Sequence, residues 1–109
     1  MTKSDFLTAT AVFNKHPATY NNREVRCTVE GRVDVLLHKK LLLSWYPETK
    51  TAEIDGKALP TRKSSRLANA IISQFSPCRV YSKDKRWFLK TGSGEKLEYT
   101  NGTAEVTLN

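Results

Sequence analysis

The stretch CRVYSKDKRWFLKT, residues 78–91, decides the fold, because apolar and charged side chains alternate on both sides of Asp84 and Lys85. Such alternation is typical of half-buried strands, and a two-residue turn at Asp84 and Lys85 joins two of them into a hairpin. In this register Tyr81 lies opposite Phe88. The register also predicts two cross-strand pairs of cations, Arg79 with Lys90 and Lys83 with Arg86.

Two further turn signals extend the hairpin into a meander. Gly92-Ser93-Gly94 fits a three-residue loop with a glycine in the left-handed conformation, and Asn101-Gly102 fits a two-residue turn. We therefore expect four antiparallel strands, at 78–83, 86–91, 96–100 and 104–108. The second turn would pair Tyr99 with Ala104 and Leu97 with Val106. The predicted core face of the meander consists of Val80, Trp87, Leu89, Leu97, Tyr99, Ala104 and Val106.

A helix precedes the meander, at residues 64–75. Its apolar side chains recur at helical spacing, with Ser64 or Thr61 as the N-cap and Pro77 after its end. The apolar stripe consists of Leu67, Ala68, Ile71, Ile72 and Phe75. Because such a stripe must be covered, we expect Leu67, Ile71 and Phe75 to pack on Trp87 and Leu89.

The N-terminal half adds strands to the same sheet architecture. Residues 23–30 alternate with Val25, Cys27 and Val29 on one side, which predicts a half-buried strand. Residues 33–46 fit one helix and two strands around a basic tip equally well, and we favour the two strands. Residues 51–54 form a further strand, and residues 5–14 fit either a helix or a strand. We predict one α+β domain over residues 1–109, with a mostly antiparallel sheet packed on one main helix.

The positive charge of the chain is concentrated in one segment. Of the 18 Lys and Arg, nine lie in residues 57–90 with Asp84 as the one acid, while the rest of the chain is close to neutral and the total is +7. A cationic field confined to a third of a small domain attracts phosphates or acidic protein surfaces.

The solvent face of the predicted hairpin combines these cations with two aromatic rings. It consists of Arg79, Tyr81, Lys83, Arg86, Phe88 and Lys90. Like charges opposite each other destabilise a sheet when nothing neutralises them, whereas a basic surface with central aromatics can hold single-stranded nucleic acid. The alternative is that the N-terminal third of the chain covers Tyr81 and Phe88, and that the cations only serve solubility.

The helix start is a second candidate anion site. Arg62, Lys63 and Arg66 lie where helices ordinarily prefer negative side chains, and Ser64 and Ser65 add hydroxyl groups. A bound phosphate would resolve this conflict, because free N–H groups and arginine forks both favour it. The alternative is a solvated first turn whose cations point away from the protein.

No spacing in the sequence predicts catalysis, a metal or a cofactor. His16 and His38 stand alone, and Cys27 and Cys78 lack the partners of a zinc pattern, so both cysteines are expected to be reduced core residues. The N-terminus contains Asp5 and three threonines where a signal peptide needs an apolar stretch, and no membrane-spanning run occurs. We expect a cytoplasmic protein that is not an enzyme.

The predicted function is nucleic-acid binding, with single strands favoured over duplex. The hairpin face is expected to hold the strand, and Arg62, Lys63 and Arg66 to add a phosphate contact. The alternative is a protein-interaction or inhibitor module for an acidic protein partner, compatible with a viral or mobile-element accessory factor.

Overall fold

The computed structural model describes residues 2–58 and 60–107. In chain order the elements are α1 (Lys3–Phe13), β1 (Ala18–Tyr20), β2 (Arg23–Cys27), β3 (Val33–Leu37), β4 (Lys40–Tyr46), β5 (Thr51–Asp55), α2 (Arg62–Ile72), β6 (Arg79–Lys83), β7 (Arg86–Lys90), β8 (Lys96–Glu98) and β9 (Thr103–Thr107). All strand pairs in this part of the chain are antiparallel, which confirms the predicted α+β class.

The first five strands form a meander that β9 completes, giving a six-stranded sheet in the order β1-β2-β3-β4-β5-β9. The two strands predicted within residues 33–46 are confirmed as β3 and β4. His38 and Lys39 form the basic tip between them, both with a positive φ of 52° and 66°. Successive left-handed residues match the twist of a two-residue hairpin turn, so this tip places Leu37 opposite Lys40, and the register shifts farther along, between Val35 and Leu36.

The second sheet has three strands in the order β6-β7-β8. Its register is the predicted one: Tyr81 pairs with Phe88, Arg79 with Lys90, Lys83 with Arg86 and Leu89 with Leu97. Asp84 and Lys85 both have positive φ in the two-residue turn, and Gly94 takes the left-handed position in the loop at residues 92–94. Local turn chemistry therefore specified this sheet correctly.

The fourth strand of the predicted meander, β9, belongs to the six-stranded sheet and does not pair with β8, so this part of the prediction is wrong. β9 pairs with β5, so that Ala104 lies opposite Ile54 and Val106 opposite Ala52. The edge of β5 offers buried apolar partners that β8 lacks, and no turn at residues 101–102 brings the chain back onto β8. Leu97, predicted to be buried, is consequently 51% exposed. Leu108, the last residue of the predicted strand, lies outside the described residues.

Both helices pack against the common core of the two sheets. The segment at residues 5–14 is helical, because the Thr2 hydroxyl accepts a hydrogen bond from the Asp5 N–H and caps α1. The predicted helix at residues 64–75 is present as α2, which begins two residues earlier and ends three residues earlier. Phe75, which follows α2, makes its aromatic contacts with Phe13 and Trp45 and not with Trp87 as expected.

The two cysteines are free, but only one of them contributes to the core. Cys78 is partly buried against the core cluster. Cys27 is exposed, contrary to the prediction, because the pairing of β1 with β2 stops at Ala18 and Val25 and leaves the end of β2 uncovered. Val29, beyond that end, is fully exposed.

Candidate nucleic-acid interface

The candidate site is the outer face of the three-stranded sheet, which we call the basic aromatic face. Its residues are Arg79, Tyr81, Lys83, Arg86, Phe88 and Lys90. Because side chains alternate across a strand, the same register that turns Val80, Trp87 and Leu89 into the core turns these six outward. All four cations are exposed and both rings are half-buried.

The two rings form the centre of this face. Tyr81 and Phe88 stack with their ring centroids 5.3 Å apart and their planes 16° from parallel. Each ring covers part of the other, which explains their intermediate exposure. The pair presents an apolar, aromatic patch to solvent at a position where an exposed sheet ordinarily carries polar side chains.

Cations flank the ring pair on both sides. Lys90 lies between Arg79 on β6 and Lys96 on β8, and Lys83 lies opposite Arg86. The one ion pair that reaches these five cations within the described chain joins Arg86 Nη1 to Glu98 Oε1 at 3.9 Å, and both side chains are exposed. Exposed pairs of this length contribute little, and although Glu98 lies opposite Phe88, the cations outnumber it, so the face keeps a net positive charge.

The N-terminal third of the chain is engaged elsewhere. Its apolar residues form α1 and the strands of the six-stranded sheet, where Val12, Val25 and Val35 are fully buried in the common core. α2 lies along the free edge of β6, as shown by the hydrogen bonds between the Asn69 side chain and the Val80 backbone. The burial pattern therefore leaves the basic aromatic face open to solvent.

Asn69 has a role that the sequence reading missed. Its Nδ2 donates to the Val80 carbonyl at 2.9 Å, and its Oδ1 accepts from the Val80 N–H at 2.8 Å. The side-chain amide thus replaces the neighbouring strand that β6 lacks on this edge. The one available signal was an asparagine in the middle of an otherwise good helix, where its propensity is poor.

Two aromatic side chains anchor the sheet from beneath. The Trp87 Nε1–H donates to the Ala58 carbonyl at 2.7 Å, and the Trp87 ring stacks on Tyr99 with centroids 5.7 Å apart. The Tyr99 hydroxyl is buried and has no hydrogen-bond partner among the described residues. Burial raises the pKa of Tyr99, because the charged phenolate would lose its hydration.

The start of α2 uses its hydroxyl groups internally. Thr61 is the N-cap, and its Oγ1 accepts from the Ser64 N–H at 3.1 Å and lies 2.9 Å from the Ser64 Oγ. The Ser65 Oγ donates to the Arg62 carbonyl at 3.1 Å. A phosphate at this turn would therefore depend on the exposed cations more than on the two serines.

Two of the three cations of the helix start, Arg66 and Lys63, face different sites, and Arg62 is exposed. Arg66 and Arg79 line the same shallow depression of about 260 Å³ between α2 and β6. Lys63 lines a different pocket, together with His38 and Lys40 of the β3–β4 tip. Arg66 is therefore the residue of the helix start that adjoins the basic aromatic face.

No protein-family model matches the sequence, and neither a curated protein nor a solved structure matches it significantly. No helix in the described part of the chain has the length and hydropathy needed to cross a membrane. Residues 2–58 and 60–107 contain no group of three His, Cys, Asp or Glu side chains placed to hold a metal ion.

Proposed function

We propose that this protein binds single-stranded nucleic acid on its basic aromatic face, and that it acts by binding and not by catalysis. The observation that carries the proposal is the stacked pair of Tyr81 and Phe88 between cross-strand pairs of cations. Unpaired bases stack on such rings while Lys and Arg contact the phosphates that follow them. We place this activity in the cytoplasm.

Electrostatics favour a polyanion as the partner. Like-charged residues directly opposite each other destabilise a sheet, and the exposed carboxylate of Glu98 offsets only part of that repulsion. A strand of phosphates would neutralise Arg79, Lys83 and Lys90 together. The rings favour single strands over duplex, because the bases of a duplex are already stacked on one another.

Arg66 is the further contact that this proposal favours. It shares a depression with Arg79, so a strand that leaves the face along β6 would meet its guanidinium next. Lys63 and Arg62 were predicted as contacts with it, but Lys63 lines a pocket with Lys40. We therefore expect Arg66 to contribute more to binding than Lys63.

The test is a titration of a labelled oligothymidylate at several salt concentrations. Three to five phosphate contacts predict a log–log slope of about −2 to −3.5 for a single strand. Replacing Lys83 and Arg86 by Ala should flatten the slope by about 1.4, since each lost contact removes about 0.7. Replacing Lys3 and Lys57, two exposed cations outside the sheet, removes the same charge and should leave the slope unchanged.

The aromatic contribution is tested separately. Phe88→Leu keeps an apolar side chain but removes the ring, and it should weaken binding by about 1 to 3 kcal/mol without changing the slope. Leu97→Ala is the matched control, because Leu97 is 51% exposed on the inner side of the same sheet. Poly-glutamate serves as an acidic polypeptide, and its binding should be weak and indifferent to Phe88.

Two results would overturn the proposal. One is the absence of oligonucleotide binding at low salt. The other is tighter binding of poly-glutamate than of oligothymidylate, with Phe88→Leu having no effect on either. Both results would leave the acidic protein partner as the better explanation of the cationic face.

A further inference from the structure

A second surface feature is a pocket of about 570 Å³ bounded by α1, the turn after β4 and the end of α2. We call it the aromatic pocket, and its apolar lining consists of Phe6, Ala9, Phe13, Trp45, Pro47 and Phe75. The volume lies within the usual range for small-molecule sites, which are mainly apolar with a few polar groups that orient the ligand. The pocket shares no residue with the basic aromatic face.

Three rings give the pocket a fixed wall. Trp45 contacts Phe75 with centroids 4.8 Å apart and Phe13 at 5.1 Å, and the Phe13 and Phe75 rings lie 6.1 Å apart. Trp45 is almost fully buried, so the cluster is part of the core as well as a surface. Phe6 is 55% exposed at the rim. The site is therefore preformed on its inner side and open at Phe6.

The polar part of the lining includes two lysines in an unusual backbone conformation. Lys15 and Lys50 have φ values of 52° and 53°, in the left-handed region that glycine and asparagine favour. Lys15 follows the C-cap of α1, a position at which helices commonly have glycine. The next residue closes the helix end, because the His16 N–H donates to the Ala11 carbonyl at 2.9 Å. The backbone conformation at these two positions therefore does not explain why lysine occupies them.

Charge complementarity identifies the kind of ligand. No acidic side chain is among the described residues that line the pocket, and neither Lys15 nor Lys50 forms an ion pair with a described residue. The amides of Asn14 and Gln74 add hydrogen-bonding groups. An apolar body would contact the rings while an anionic group pairs with the lysines at the rim.

We propose that the aromatic pocket binds a small amphipathic anion, an aromatic ring system that carries one carboxylate or sulfonate group. Such a ligand satisfies both halves of the lining. A neutral aromatic compound would leave the lysines without an anion inside the pocket, because Glu30 and Glu48 adjoin Lys15 from a neighbouring depression. A bare inorganic anion would make no use of the rings. This site does not depend on the proposed nucleic-acid activity.

The experiment compares two fluorescent probes that share a ring system. Anilinonaphthalene sulfonate carries the anionic group, and N-phenylnaphthylamine is the neutral counterpart. We expect wild type to bind one sulfonate probe per chain, with quenching of tryptophan fluorescence because Trp45 lines the site. Lys15→Asn with Lys50→Asn should weaken the sulfonate probe about tenfold and leave the neutral probe nearly unchanged.

The control variant changes Lys39→Asn and Lys85→Asn. These lysines also have positive φ, at 66° and 61°, but lie in other turns, so the variant matches the first in charge and in backbone conformation. It should retain the affinity of wild type for the sulfonate probe. Phe6→Ala, at an exposed position, should weaken both probes and tests the apolar half of the site.

The proposal fails if the two Lys-to-Asn variants lose sulfonate-probe affinity equally, because the general field of the protein would then account for the binding. It also fails if wild type binds neither probe, or if the Lys15 and Lys50 variant binds the sulfonate probe as tightly as wild type does.

Discussion

The two sheets share one core but differ in how their outer faces treat charge. On the six-stranded sheet the cations have acidic neighbours: Arg32 donates to Asp34 at 2.9 Å, and Arg26 is hydrogen-bonded to Glu24. The hydrogen bond from Arg26 lowers the pKa of Glu24, which is the expected sign for a carboxylate with a cationic donor. On the three-stranded sheet the corresponding positions hold cations opposite cations, with one long contact to Glu98.

The two outer faces therefore differ in how many of their charged side chains have a partner of opposite charge within the chain. The larger sheet pairs two of its cations, Arg26 and Arg32, with its own carboxylates, and Ser44 adds a hydrogen bond to Asp34 at 2.9 Å. On the smaller sheet, Arg79, Lys83 and Lys90 form no ion pair with a described residue. The larger sheet also contains one cross-strand pair of like charges, because Glu53 on β5 lies opposite Glu105 on β9.

The largest effect on stability is expected at Gly56, where the ends of the two sheets meet. Its N–H donates to the Gly102 carbonyl at 2.8 Å, and a Cβ at this position would lie 2.0 Å from the Tyr99 carbonyl oxygen. Because backbone atoms cannot rotate away, we expect Gly56→Ala to lower the free energy of unfolding by about 3 kcal/mol or more. Urea denaturation of the purified variant measures this.

Gly31→Ala is the matched control for Gly56→Ala. Gly31 has a φ of +88° but open space around it, so the substitution costs only backbone strain of about 1 kcal/mol. Equal denaturation midpoints for the two variants would show that the close contact between Gly56 and Tyr99 does not hold the sheets together.

A smaller effect is expected where α2 supports the edge of the three-stranded sheet. Asn69→Ala leaves both backbone groups of Val80 without their side-chain partners, which should destabilise the protein by about 1 to 3 kcal/mol. The amide N–H of Val80 should also exchange faster with solvent. Unchanged exchange at Val80 in a destabilised variant would mean that Asn69 acts through helix packing alone.

Tyr99→Phe should have an effect that depends on pH. It removes a buried hydroxyl without a partner, so at pH 7 we expect equal or slightly higher stability, by up to about 1 kcal/mol. Because the folded-state pKa of Tyr99 is raised, the folded protein retains the phenol proton to a higher pH than the unfolded chain does. Wild type should therefore lose stability relative to Tyr99→Phe above about pH 10.

Urea denaturation at pH 7 and pH 11 checks the sign for Tyr99. Comparing wild type with Tyr99→Phe cancels the other tyrosines, which are common to both proteins. A gap between the two proteins that stays constant with pH would contradict the raised pKa.

The smallest effects sharpen the contrast between the two outer faces. Lys83→Glu and Glu105→Lys each convert a like-charge pair into an opposite-charge pair, so each should stabilise its sheet by a few tenths of a kcal/mol. Only Lys83→Glu should weaken oligothymidylate binding, because Glu105 lies on the other sheet. Weakening by both variants, or by Glu105→Lys alone, would separate binding from the basic aromatic face. Thermal melts and the salt titration provide the two measurements.

The elements that could be predicted are those that depend on residues close in sequence. The β6–β7 hairpin follows from alternation and from the turn at Asp84 and Lys85, and the apolar stripe of α2 follows from helical spacing. The outward position of Tyr81 and Phe88 came with that register. β9 could pair with the edge of β5 or with the edge of β8, and the choice depends on which edge offers buried apolar partners. No local sequence pattern contains that information.

The same distinction applies to the sites. The residues of the basic aromatic face are neighbours along one hairpin, so the sequence alone indicated them together. Arg66 and Lys63, three positions apart on one helix, adjoin different surfaces, because α2 packs between β6 and the β3–β4 tip. The aromatic pocket joins α1, β4 and the end of α2, and its lysines gave no sequence signal at all.

The sequence by itself determined the α+β class, the hairpin register and the concentration of charge on one segment, because alternation, turn residues and composition act over a few neighbouring positions. Only the tertiary structure decided that the chain forms two sheets, that Asn69 supports the edge of β6 and that Phe75 joins Trp45. These outcomes depend on which buried surfaces meet, and that is set by the packing of segments far apart in the chain.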